Sequence, residues 1–100
     1  MAEIHDLTPW VETPSSTRVS RYRYDFATRE IQVQWRNNKN DGYIYRGADY
    51  ETYRSFARAV SKGKQINRDL NGLEYAPIDP EELNAPSNTR YKGLSSRVVN

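Results

Sequence analysis

The stretch Arg18–Arg36, RVSRYRYDFATREIQVQWR, decides how this chain folds. In its second half Ile31, Val33 and Trp35 alternate with Glu30, Gln32, Gln34 and Arg36, the period of a strand with one apolar and one polar face. In its first half Tyr22, Tyr24 and Phe26 share one parity, while Arg21, Arg23 and Asp25 share the other. Aromatic residues suit such a half-buried strand. Val19 falls out of step with Tyr22, which predicts a β-bulge between them. Ala27 and Thr28 form the short turn that joins the two strands.

On the C-terminal side, Asn37–Gly42 (NNKNDG) has the composition of a turn, and Asp41-Gly42 suits left-handed backbone. Tyr43–Arg46 then reads as a short third strand. Helix signals begin at Asp49, an N-cap residue, with Glu51 adding a carboxylate to the first turn. Tyr50, Tyr53, Phe56, Ala57 and Val60 recur at helical spacing on one apolar face. Ser61-Lys62-Gly63 ends this helix, with Lys62 near its carbonyl end and Gly63 as a left-handed stop. A second short helix is expected over Gln65–Leu70, closed by Asn71-Gly72.

The two ends lack any period. Residues 1–14 contain Pro9 and Pro14, and only Trp10 and Val11 carry enough apolar area to dock on a core. After Tyr75 come Pro77, Pro80 and Pro86, with Glu81-Glu82-Leu83 long enough for a single turn. The reading is therefore an α+β domain over residues 15–75. It consists of a three-stranded antiparallel β-meander packed against one main helix and a second short helix, with a flexible arm (1–14) and a flexible tail (76–100). The third strand lies at an edge open to pairing with another chain.

The charge is uneven. The net charge of the 100-residue chain is +2, yet residues 1–14 carry −3, residues 15–72 carry +6 and residues 73–100 carry −1. A basic middle between weakly acidic ends attracts polyanions or acidic protein surfaces, or simply keeps a small domain in solution. Charged residues make up 28% of the chain, the mean hydropathy is −0.98, and no run approaches the length of a membrane span. The start, MAEIHDLTPW, has neither the basic region nor the apolar stretch of a signal peptide. With no cysteine as well, the expectation is a soluble cytoplasmic protein with no membrane partner.

At this point the residues resemble a known family. Ser15-Ser16, Tyr24-Asp25, Ile31-x-Val33-x-Trp35 and Gly42-Tyr43-Ile44-Tyr45 occur in the order found in the KTSC domain, named for its occurrence at the C-terminus of some lysyl-tRNA synthetases. The likeness continues through Tyr53, Ala59, Ser61-Lys62-Gly63 and Asn67 to Tyr75, so it covers roughly residues 15–75. Two positions depart from the pattern. Ala48-Asp49 stands where a Val-Pro pair usually leads into the helix, and Ile66 stands where an aromatic is expected. The resemblance implies a stand-alone bacterial or phage protein, cytoplasmic in the bacterium or in the host cell. It suggests RNA binding by association with a tRNA-handling enzyme, and it brings no catalytic residues.

Chemistry read from the residues alone agrees that catalysis is not expected. His5 is the only histidine and lies in the arm, so no zinc site and no cofactor is expected. Ser15 and Ser16 have no base nearby and read as local hydrogen-bonding groups. The polyanion case rests on placement. Arg54, Arg58 and Lys62 follow at i, i+4 and i+8, Lys64 and Arg68 extend the series, and Arg21, Arg23 and Arg36 lie on the polar parity of the strands. Solvated helix and sheet faces account for the same residues.

Tyr43 and Tyr45, of one parity, are candidate base-stacking residues, but Tyr rings also line sheet cores. Buried tyrosines, the favoured arrangement, put Ile44 outward; a buried Ile44 leaves the tyrosines available. The leading expectation is a non-catalytic nucleic-acid (RNA) binding module. The alternatives are a protein-protein interaction adaptor and a self-assembling accessory protein of a phage or bacterium.

Overall fold

The computed structural model describes residues 5–38, 41–59 and 62–88. The two alternating stretches form strands β2 (Val19–Asp25) and β3 (Glu30–Trp35), flanked by β1 (Val11–Glu12), β4 (Gly42–Arg46) and β5 (Glu74–Pro77). All neighbours are antiparallel, in the order β1-β2-β3-β4-β5. The meander is therefore five-stranded, where the sequence led to three. The added strands are two and four residues long, too short to show a period, and β5 ends on Pro77 at an edge, where a missing N–H breaks no ladder. The register of β2 against β3 shifts between Val19 and Arg21, the expected bulge.

One sheet face is apolar and aromatic. Tyr22, Tyr24, Ile31, Val33 and Tyr45 project from it onto α1 (Tyr50–Arg58) and onto Ile66 and Leu70. Tyr24 stacks on Tyr53 with ring centroids 4.6 Å apart, and Phe56 meets Tyr22 edge-on at 5.0 Å. Asp49 caps α1 by accepting from the Thr52 N–H, 2.9 Å away. Tyr50, expected on the buried face, is half exposed and rests on Phe26. Val60 and Ser61 lie outside the described residues.

At the end of α1 Lys62 lies where the sequence placed it, by the last carbonyls, but Gly63 is not the stop. The C-cap of α1 is Ala59 in extended backbone, and the Lys62 ammonium donates to the carbonyls of Ala57 and Ala59. A cation on the terminal carbonyls does the work assigned to a left-handed glycine. Gly63 instead sits inside α2 (Lys62–Gln65), which runs on as a π-helical turn over Ile66–Leu70. A Cβ on Gly63 would lie 3.4 Å from the side chain of Arg18.

The opposite face is covered too, by the described parts of both ends. Ile78 and Leu83, the latter in α3 (Pro80–Leu83), bury Ile44 together with Trp10. Gly42 is required by this close approach: a Cβ there would lie 2.4 Å from the Val33 carbonyl oxygen and 2.9 Å from Ile78. Arm and tail also clasp each other. Asn88 donates its backbone N–H to the Leu7 carbonyl, and its side chain accepts from Leu7 and donates to His5. The choice between a buried Ile44 and buried tyrosines thus dissolves, because a sheet covered on both faces buries Ile44 and Tyr45 together.

Candidate nucleic-acid interface

The eight basic residues singled out in the sequence divide by what their charges touch. Arg23 is fully buried. Its guanidinium donates to Gln32, to the carbonyls of Glu82 and Ala85 and to Ser87, with the Trp10 ring 4.2 Å away. Burial, with added repulsion from Arg21, pulls it down to about 10, so it stays charged at neutral pH. It cannot meet a phosphate from there. Arg21 lies against the same ring and donates to Gln34. Arg36 donates to the carbonyls of Thr13, Ser16 and Val19, folding the 13–19 loop onto the sheet. Lys62 is committed to the end of α1, and burial lowers its pKa. A polar parity was expected to mean exposure; at Arg23 it means contact with tail carbonyls.

Arg54, Arg58, Lys64 and Arg68 remain on the helical layer. Arg54 is 4.0 Å from Glu51 and sits beside the Tyr50 ring. Arg58, Lys64 and Arg68 are exposed, without a hydrogen bond or ion pair among the described residues. Arg68 lines a hollow with Glu51, Thr52 and Ser55 of α1, which joins the outer side of that helix to the π-helical turn.

The tyrosines also part company. Tyr45 is 2% exposed, and burial raises its hydroxyl to about 12, which removes it as a stacking surface. Tyr43 is only partly covered, and its ring belongs to a row that the sequence did not show. Trp35 meets Tyr43 edge-on at 5.5 Å, and Tyr43 stacks on Tyr75 at 5.4 Å and 18°. Tyr75 is 51% exposed. The row exists because β5 pairs with β4 and sets Tyr75 opposite Tyr45 and Pro77 opposite Tyr43. The sequence offered Tyr43 as a stacking candidate and Tyr75 at the end of the family likeness, but not their pairing.

At one end of the row a cleft of about 390 Å³ opens between Thr17, Arg18, Trp35, Asn37, Asp41 and Tyr43. The Arg18 guanidinium lies over the Trp35 ring, 5.2 Å from its centroid, and reaches the Gly63 carbonyl at 3.4 Å. Arg18 therefore links the aromatic row to α2, which carries Lys64. A basic and aromatic surface of this kind can hold phosphates and unpaired bases together.

His5 bonds the buried Asp25 at 2.6 Å. Burial pushes the Asp25 carboxyl up, but His5 and the backbone N–H groups of Asp6, Thr28 and Ala27 outweigh it and leave the pKa below its usual value. Ser16 accepts from the backbone of Arg18 and Val19, a local turn device. Among the described residues no group of three or more His, Cys, Asp or Glu is placed to hold a metal, and no helix is long and apolar enough to cross a membrane.

The KTSC domain family matches residues 15–75. The crystal structure of a KTSC domain protein from Yersinia pestis is similar over 72% of this chain and 97% of its own, with a TM-score of 0.63 and 26% identity. No curated protein matches. The family match takes in β2 to β4, the helical layer and the start of β5, and through them the whole aromatic row, so the chain belongs to the KTSC domain family.

Proposed function

We propose that this protein is a non-catalytic binding module for single-stranded nucleic acid, RNA first. One observation carries the reading: the row Trp35–Tyr43–Tyr75 ends on an exposed ring and has the Arg18 guanidinium at its other end. Unpaired bases stack on such rows, and nearby cations hold the phosphates between them. Arg58, Lys64 and Arg68 supply further charge on the adjoining helical layer. The occurrence of KTSC-like domains beside a tRNA-handling enzyme agrees with RNA as the first choice.

The test is a titration of the full chain with labelled single-stranded RNA. Binding is expected at low salt and weakens steeply between about 50 and about 200 mM. Tyr75→Ala reduces affinity by about tenfold, since one base loses its platform. Absence of binding at low salt, or affinity indifferent to both salt and Tyr75, contradicts the reading.

The adaptor reading draws on a different feature, the outer edge of β5, which no other strand of the described sheet covers. A partner segment adding a sixth strand there would bind equally well after nuclease treatment and in high salt.

A further inference from the structure

We propose that the cleft between Trp35 and Tyr43 selects a guanine base, read by the carboxylate of Asp41. The inference rests on the single-stranded nucleic-acid reading above and names the base at one position of that surface.

The cleft has the size of a ligand pocket, which generally runs from roughly 300 to 1,000 Å³, and its walls divide into two kinds. Trp35 and Tyr43 offer ring surface. Thr17, Asn37 and Asp41 offer polar groups, and the Asp41 and Asn37 side chains have no hydrogen-bond partner among the described residues. Asp41 is held at the cleft through its backbone, whose carbonyl accepts from the Trp35 N–H at 3.0 Å and whose N–H donates to Asn38 at 3.1 Å. The carboxylate is left to the ligand.

An ionised carboxylate accepts hydrogen bonds and donates none. Among the bases only guanine presents two adjacent donors on its Watson–Crick edge, N1–H and the N2 amino group, which match the two carboxylate oxygens. Adenine and cytosine each place an acceptor nitrogen beside their single amino donor. Uracil flanks its one N–H with two carbonyls. All three set a lone pair against the carboxylate. The Asn37 amide supplies a donor of the kind guanine O6 requires.

A cationic ligand such as a methylated ammonium also suits an aromatic pair beside a carboxylate. Here the position over Trp35 is already held by Arg18, at 5.2 Å. That charge favours a ligand bearing phosphate.

The experiment measures the affinity of the full chain for labelled heptauridine carrying guanine, adenine or hypoxanthine at its centre. Guanine is expected to bind about tenfold tighter than adenine, the effect of a charge-assisted pair of hydrogen bonds at a solvent-accessible site. Hypoxanthine, which keeps N1–H and O6 but lacks the amino group, falls between them. In Asp41→Asn the guanine-to-adenine ratio drops to about one, while the backbone bonds of residue 41 are retained. Equal affinities in the native chain, or a ratio unchanged in Asp41→Asn, overturn the guanine assignment and leave the nucleic-acid reading standing. Failure of every oligonucleotide to bind at low salt overturns that reading itself, and with it the assignment.

Discussion

The two faces of the sheet are both covered, but by different chemistry. On the helix face, Tyr22, Tyr24, Ile31, Val33 and Tyr45 meet Tyr53, Phe56, Ile66 and Leu70, and area removed from water holds the layers together. On the other face Arg23, Gln32 and Gln34 lie buried under arm and tail, and hydrogen bonds to Glu82, Ala85 and Ser87 do much of the holding. The apolar cluster described there is small, Ile44, Ile78 and Leu83 with Trp10 packed against them. Apolar burial tolerates imperfect geometry and resists change as a unit. A buried guanidinium is worth having only while every donor is matched.

Three substitutions separate the faces. Phe56→Ala removes the ring between Tyr22 and the helix and costs about 3–5 kcal/mol. The loss is expected to appear as one cooperative transition shifted to lower denaturant. Arg23→Ala strands the carbonyls of Glu82 and Ala85 and costs about 2–3 kcal/mol. Here amide exchange is the informative measurement, with residues 78–88 losing protection while α1 keeps its own. Loss of protection in α1 to the same extent would mean that the faces do not act separately.

The smallest effect belongs to Asp25, which ties the arm to the β2–β3 turn through His5 and three backbone N–H groups. Its pKa is lowered in the folded chain, so its stabilisation is present above the ordinary value of 3.8 and is lost as pH falls through the lower folded value. Asp25→Asn is expected to cost about 1–2 kcal/mol at neutral pH. The difference from the native chain shrinks as both are taken into acid, and a constant difference from pH 7 to pH 2 would contradict this linkage.

Period and parity made the helix face legible. Residues 19–35 gave two strands and their bulge, and Asp49 marked the start of α1. The other face was misread for a physical reason: alternation reports which residues are polar, and Arg23 and Gln32 are polar groups satisfied by chain rather than by water. The covering segments carry little signal of their own, since β1 has two residues and α3 four. The basic middle announced the sign of the surface but not its location, because Arg23, Arg36 and Lys62 are spent on backbone carbonyls. Tyr43 was legible as a stacking candidate. Trp35 and Tyr75 became its neighbours only through the pairing of β4 with β3 and β5.

The central claim is that nucleic acid meets the aromatic row and not the arginine-bearing face beneath the tail. Amide shifts followed residue by residue during titration with single-stranded RNA test it most directly. The account predicts that the largest changes fall on Thr17, Arg18, Trp35, Asn37, Asp41, Tyr43 and Tyr75, with Arg21, Arg23 and residues 82–87 still. Changes centred on Trp10, Arg21 and the tail, or none at saturating RNA, would contradict it.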